Sequence, residues 1–416
     1  MPKYLRLDLL LVMVPIAGYL HFATQHHVAA FICSCIAIIP IAGWMGKATE
    51  HLAERTGEGV GGLLNATFGN AAELIIALMA LYAGMQAATP EGTARMHEIV
   101  KSSITGSIIG NLLLVLGASL FIGGLRHRVQ RFNPAGARTY GTILLLAATA
   151  LVMPAVFHHV GQPLFAAAAQ TSAGPVSATA AAIAAPATAA LAASASAAAP
   201  VTAALLSAER DLSLEIAIIL FITYLGVLWF SLRSHKQLFT GAAAEAAKVD
   251  TGDDAGHGHG HRIWPAWLAV TVLLVATAMV AVVAEWMIAS VEHAGPALGL
   301  NHVFLGVIVV AVVGNAAEHS TAILMALKNR MDLAIGIALG SSVQIALFVA
   351  PVLVFASYAF GTPLDLVFSP LEVLAIVATV WITEQVISDG ESNWLEGFQL
   401  LGLYAIIGMV FYLLPH

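Results

Sequence analysis

Charge is what this chain has least of. Asp, Glu, Lys and Arg together make up 10% of its 416 residues while 59% are hydrophobic, against about 25% charged in an ordinary soluble protein. That poverty excludes a large water-soluble core, although the length alone would accommodate two or three domains. Cysteine is nearly missing as well. Cys33 and Cys35 share one apolar run, which excludes a disulfide framework and reads as a pair of buried thiols. The net charge is -7 and the basic residues are scattered over short segments, so the chain offers no nucleic-acid surface. Neither H-E-x-x-H nor G-x-S-x-G occurs, which weighs against a polytopic membrane hydrolase.

What the chain has in abundance is apolar runs of about 20 residues, each long enough to cross a bilayer as a helix. Eleven are present, at 8–24, 28–46, 62–85, 102–124, 139–157, 212–232, 264–289, 302–327, 332–357, 369–387 and 395–414. They predict an all-α polytopic membrane protein with eleven transmembrane helices. Lys3 and Arg6 precede the first run as in a signal peptide, but Asp8 interrupts it and no small-residue cleavage motif follows before His26 and His27. It is read as a retained span. With the N-terminus in the cytoplasm, all Lys and Arg fall in cytoplasmic segments except Arg95, Lys101 and Arg210. That asymmetry predicts N-in, C-out and an odd number of spans.

Two segments stand apart from the spans. Residues 158–211 are Ala-rich, carry Ser and Thr, and contain Pro163, Pro175, Pro186 and Pro200; they read as a flexible external loop. Residues 234–262 form a cytoplasmic linker with Asp250, Asp253 and Asp254 followed by His257, His259 and His261 alternating with glycine. Such residues could sense a divalent metal weakly, though a solvated linker is the simpler reading.

One pentapeptide occurs twice: Gly69-Asn70-Ala71-Ala72-Glu73 and Gly314-Asn315-Ala316-Ala317-Glu318. Each copy puts a lone carboxylate into an apolar run, at a cost of roughly 2.5–3.5 kcal/mol at a helix centre on insertion scales, and an acid so placed is a functional candidate. Gly106-Ser107 likewise matches Gly340-Ser341, and Leu214-Glu215 with Tyr224 matches Leu395-Glu396 with Tyr404. The division that follows is an N-terminus and leading helix (1–27), a first five-helix repeat (28–233), the linker (234–262) and a second five-helix repeat (263–416). Five is odd, so the second repeat enters the membrane inverted relative to the first, the plan of secondary transporters with a midplane site.

The chemistry of the repeated stretch follows from its residue types. Asn70 and Glu73 are three apart, as are Asn315 and Glu318, so each pair shares a helical face. Gly69 and Gly314 beside an asparagine favour a local helix break that frees backbone carbonyls. Carboxylate, amide and carbonyl oxygens suit a hard cation such as calcium. Ser107, Ser341 and Gln344 add hydroxyl and amide oxygens as supporting groups, and His319 is a candidate for proton handling. A desolvated carboxylate pair holds protons when empty and a divalent cation when charged, so the two would compete for one site.

At 61–73, at 312–319, at Met331-Asp332 through the Gly-Ser-Ser-Val-Gln run ending at 347, and at Asp389 to Gly397, the chain resembles the calcium/proton exchangers of the cation/calcium antiporter superfamily. The resemblance covers nearly all spans. It implies one leading helix plus two inverted five-helix repeats, and calcium held at Glu73 and Glu318 with help from Asn70 and Asn315. It implies protons returning through the same carboxylates, and no cofactor beyond the transported Ca2+ and H+. The partners implied are the lipid bilayer and these ions; oligomeric state is left open. The chain departs from the family in lacking a clearly acidic helix between the halves and in its long 158–211 segment. Its short N-terminus favours a prokaryotic plasma membrane over a vacuole. A sodium/calcium exchanger of the same superfamily remains an alternative, and a channel a more distant one.

Overall fold

The computed structural model describes residues 8–172, 187–234 and 264–415. They are almost entirely helical, as expected of a chain whose backbone must satisfy its own hydrogen bonds in lipid. A short 3-10 turn (Leu9–Val12) leads into α1 (Met13–Ala23), followed by α2 (His27–Phe68) and α3 (Ala71–Gln86). Next come α4 (Pro90–Ile109), a π-helical turn (Gly110–Val115) and α5 (Leu116–Arg126), then β1 (Gln130–Arg131), α6 (Pro134–Ser172) and α7 (Ala187–Trp229), the last running into a π-helical turn (Phe230–Ser234). The second half has α8 (Ala266–Leu298), α9 (His302–Phe304), a π-helical turn (Leu305–Val310), α10 (Ala311–Gly314) and α11 (Ala316–Leu327). It continues with α12 (Met331–Gln344), a third π-helical turn of this core (Ile345–Val349), α13 (Ala350–Ala359), α14 (Pro370–Val386), β2 (Glu391–Ser392) and α15 (Trp394–Tyr412).

Helix starts follow local chemistry. Thr89 caps α4 ahead of Pro90, and Ser369 and Asn393 form capping boxes with Glu372 and Glu396 at α14 and α15. Among the described residues seven helices are long and apolar enough to cross a membrane. The bent pair His302–Gly314 and Glu318–Leu327 makes an eighth if it is taken as one broken span, and Leu9–Ala23 and Ala71–Gln86 are shorter apolar helices. Of the eleven apolar runs, the one at 369–387 falls in α14, which is not among these helices, and the one at 62–85 is split by the break between α2 and α3. Large apolar side chains such as Ile219, Ile222, Leu274, Leu374 and Trp381 are exposed on the outer helices, as a lipid-facing surface requires.

Two boundaries differ from the sequence expectation. α2 does not end after its apolar run but stays helical through 47–61, and the break falls at Gly69-Asn70. The Ala-rich 158–211 segment is not a flexible loop over its described part, because α6 runs to Ser172 and α7 begins at Ala187. Alanine is the strongest helix former, and Pro163 and Pro200 are carried inside these helices. His158 and the buried Glu209 join the two helices at 2.6 Å.

The connections sort into two sets. β1 pairs antiparallel with β2, and beside them Gln130 Nε2 donates to the Ala326 carbonyl, the Asn133 N–H to Asp332, and Arg138 to the Ser388 carbonyl. At the other end Lys101 binds Asp365 and the Val367 carbonyl, each at 2.9 Å, and the Leu366 N–H donates to Ser213. α4 and α5 connect the two sets: Lys101 and Arg126 lie 25 residues apart on one helical rod, about 38 Å at 1.5 Å per residue. Glycines let helices cross at backbone contact. A Cβ on Gly106 would stand 2.1 Å from the Val307 carbonyl oxygen, and one on Gly397 would stand 2.2 Å from the Phe121 nitrogen.

Candidate ion-binding site

Both copies of the repeated pentapeptide break their helix at the Gly-Asn step. Asn70 (φ -96°, ψ 22°) separates α2 from α3, and Asn315 (φ -91°, ψ 3°) separates α10 from α11, where the chain bends by 62°. Neither asparagine spends its side chain on capping the helix that follows, so both amides are available to the interior. Glu73 and Glu318 lie in the first turns after these breaks, where the helix N-terminus favours a negative charge.

The two copies meet. A Cβ on Gly314 would stand 2.8 Å from Glu73 Cγ, so the glutamate of the first copy lies directly on the glycine of the second. Glu73 is 5% exposed, and both its carboxylate oxygens are buried without a hydrogen-bond partner among the described residues. Glu318 is held instead. Ser341 Oγ approaches Glu318 Oε2 at 2.5 Å and Asn70 Oδ1 at 2.6 Å, and Asn70 Nδ2 donates to Gln344 Oε1 at 2.6 Å. One hydroxyl hydrogen cannot serve both acceptors fully. A proton on Glu318 completes the chain, with Glu318 donating to Ser341 and Ser341 to Asn70.

The second asparagine has a matching surround. Asn315 Nδ2 donates to Ser107 Oγ at 3.1 Å and to the Ala311 carbonyl at 2.9 Å, while Asn111 Nδ2 donates to Asn315 Oδ1 at 3.3 Å. Asn70 with Ser341 and Gln344, and Asn315 with Ser107 and Asn111, are thus two versions of one arrangement, each asparagine served by the other half of the chain. π-helical turns flank it at Gly110–Val115, Leu305–Val310 and Ile345–Val349, and such bulges gather at functional sites.

Of the residues expected from sequence, Glu73, Glu318, Asn70, Asn315, Gly314, Ser107, Ser341 and Gln344 come together, and Gly69 sits at the first break. His319 follows Glu318 on α11, and among the described residues no hydrogen bond joins its ring to either carboxylate. Asp250, Asp253, Asp254, His257, His259 and His261 lie outside the described residues. Asn111 was not expected. Its signal was there: Gly110-Asn111 is a third Gly-Asn pair inside an apolar run. The assembled donors are all oxygens, from carboxylates, amides and hydroxyls, which is a hard-cation set.

A helical membrane bundle with two broken helices that meet at a pair of acids, one buried and one half-buried, defines the class of secondary transporters. Within that class, the sequence profile of the sodium/calcium exchanger protein family matches residues 26–233 and 268–413, and the chain belongs to that family. It is 39% identical to a Ca(2+)/H(+) antiporter of Synechocystis over 98% of this chain and 96% of the relative. It is 38% identical to the Ca(2+)/H(+) antiporter ChaA of Bacillus subtilis over 91% of each. The solved structure of native YfkE covers 99% of this chain and 100% of its own at 34% identity and a TM-score of 0.72. The H+/Ca2+ exchanger CAX shares the fold at a TM-score of 0.60 and 11% identity, over 98% of this chain and 91% of that one.

Proposed function

We propose that this chain is a secondary active antiporter that exchanges Ca2+ for H+ across a membrane. It is a transporter, not an enzyme. The relatives named Ca(2+)/H(+) antiporter match over nearly the whole chain. The observation that carries the mechanism is the meeting of the two pentapeptides, with Glu73 seated on Gly314 and Glu318 tied through Ser341 to Asn70. Glu73 and Glu318 bind the cation in their ionised forms, and Asn70, Asn315, Ser107, Ser341 and Gln344 supply neutral oxygens. Protons replace the cation on the same carboxylates. The partnerless oxygens of Glu73 make it the open arm of the site, and the Ser341-bonded Glu318 the fixed arm.

Movement follows the alternating-access scheme: an empty, doubly charged pair in an apolar bundle is too costly to cross, so the carrier changes sides only when loaded with Ca2+ or with protons. We read the fold as eleven spans, a leading helix and two inverted five-helix repeats. Support comes from the clustering of segments expected on one face: 126–138, 327–332 and 388–392 join through β1, β2 and their neighbours, and 101, 210–213 and 358–367 join at the other end. In that reading the N-terminus is cytoplasmic, the C-terminus external and the membrane a prokaryotic plasma membrane, with Ca2+ leaving the cytoplasm. No cofactor is needed beyond the transported ions.

The test is calcium uptake into proteoliposomes driven by a pH gradient, with wild type, Glu73→Gln and Glu318→Gln, each with and without sodium. Wild type should exchange without sodium and both variants should lose exchange. Full exchange in both variants would remove the site assignment, and uptake that requires sodium and ignores pH would replace the proton with sodium.

A further inference from the structure

Glu372 is a further buried carboxylate in the bundle, and the site above makes no use of it. It lies in the first turn of α14 at 3% exposure. Its Oε2 accepts from the Ser369 backbone N–H at 3.0 Å, completing a capping box, and its Oε1 accepts from the Ser102 hydroxyl on α4 at 3.0 Å. A cap requires only the first contact. The second points the carboxylate into the seam between α4 and α14.

The rest of that seam is unusual. α14 buries one face, formed by Glu372, Ala375, Ile376, Thr379, Val380 and Thr383, and it packs on α4, on the Gly110–Val115 turn and on α6. Thr379 and Thr383, and Thr105 on α4, are at most 2% exposed, and none of their hydroxyls has a hydrogen-bond partner among the described residues. Several helix Ser and Thr residues elsewhere in this protein, among them Thr49, Thr142, Thr149, Ser290 and Ser342, return the hydroxyl to the carbonyl one turn back, while Ser34 and Ser119 do not. The seam hydroxyls keep their bonding capacity, and a buried polar group in an apolar bundle calls for a partner such as bridging water.

The seam has two ends. α4 and α14 run in the same direction, and the Ser102–Glu372 contact sets their register. Seven residues further along each lie Ile109 and Thr379, about 10.5 Å inward, where α14 packs on the Gly110–Val115 turn that holds Asn111. Asn111 Oδ1 is buried and partnerless, and its Nδ2 reaches Asn315, next to the Gly314 that carries Glu73. At the other end Lys101 pairs with Asp365, and His97 one turn away has a buried, partnerless Nε2. The charged and titratable groups along the seam are therefore His97 and Lys101 from α4, Asp365 from the 361–369 connection, and Glu372 and Glu384 from α14.

We propose that the α4–α14 seam is the proton route between the external face and the carboxylate pair, with Glu372 as its relay. The proposal rests on the Ca2+/H+ exchange reading. Glu372 takes a proton from a hydronium ion at the outer end, leaving water. It hands that proton to the hydroxyl-bound waters at Thr105 and Thr379, and Glu73 receives one proton as Ca2+ leaves it. Hydroxyls and amides both donate and accept, which such a relay requires. Ca2+ does not use the route: it takes six to eight oxygen ligands, and between Asp365 at its outer end and Glu384 at its inner end the seam has the single carboxylate of Glu372 beside Ala375, Ile376 and Val380.

Two modes of the purified, reconstituted protein separate the proposal from a merely structural role. Ca2+/Ca2+ exchange, read with isotopic calcium at equal concentrations, needs no net proton movement; Ca2+/H+ exchange, read with a trapped pH dye, does. Glu372→Gln keeps a capping-box residue but removes the titrating group. It should retain Ca2+/Ca2+ exchange and slow Ca2+/H+ exchange by about tenfold or more. Thr379→Val should shift the same ratio in the same direction. Wild-type Ca2+/H+ exchange in Glu372→Gln, or equal loss of both modes, would overturn the route. A wild type with no pH-driven exchange would overturn the exchange reading itself, before any variant is made.

Discussion

Adding one methyl group at Gly314 tests whether the crossing of the two pentapeptides is the working site. A Cβ there would stand 2.8 Å from Glu73 Cγ and 3.4 Å from Cδ. Carbon pairs rest at about 3.5–4.0 Å, so the pair must separate by about 0.7 Å or more. Cγ is the second atom of the side chain. Relief by rotation therefore moves the whole carboxylate, and relief by backbone shift opens the helix break. Overpacking of this size costs about 1–3 kcal/mol, which at about 1.4 kcal/mol per decade corresponds to roughly a 5- to 150-fold loss. Misplacing a reacting group by about 1 Å gives a similar figure, near 100-fold. Gly314→Ala should lower pH-driven calcium uptake by that factor while thermal unfolding in detergent stays cooperative. Gly336→Ala is the control, because a Cβ there meets nothing within 4 Å. A Gly314→Ala protein that transports at the wild-type rate would refute the contact.

Ser341→Ala should weaken calcium binding about 5- to 150-fold, from the roughly 1–3 kcal/mol cost of leaving half-buried Glu318 and buried Asn70 without their shared hydroxyl. Calorimetric titration would show it, and unchanged affinity would exclude Ser341 from the site. Asp365 carries a pH prediction. Burial raises its carboxyl, but the Lys101 charge and hydrogen bond, the Val367 N–H and His97 outweigh it and hold the group below the usual carboxylate range. A depressed carboxyl stabilises the fold above its ordinary value near 3.9 and loses that contribution as pH falls through the depressed value. The mobility of a nitroxide spin label on an introduced Thr362→Cys, read by electron paramagnetic resonance, should thus stay flat from about pH 8 to 5 and rise only below about pH 4. A rise near pH 6 would show that the Lys101–Asp365 pair does not hold the connection.

Much of the helical framework was legible because its signals are local. Apolar runs at 102–124 or 332–357 have few other fates in lipid, and the Gly-Asn steps at 69–70 and 314–315 break their helices where Gly and Asn weaken them. Other features were not local. The helical character of 47–61 and of the Ala-rich segment lies in propensity and in neighbours such as Trp264, which accepts from Arg55, and not in hydropathy. Asn111 repeats only the Gly-Asn pair and not the whole pentapeptide, and Glu372 has no second copy, so the pentapeptide repeat singled out neither.

The sequence by itself determined the class: charge too scarce for a soluble core, eleven apolar runs, and two identical acid-bearing breaks. These are properties of residues close together in the chain, and helix formation in lipid reads them directly. Only the tertiary structure decided which partners each break would find. Asn70 bonds Gln344, 274 residues away, Asn315 bonds Ser107, 208 residues away, and Glu73 rests on Gly314. Such pairings depend on helices approaching to backbone contact at Gly106 and Gly397, a condition of three-dimensional packing that no local pattern encodes.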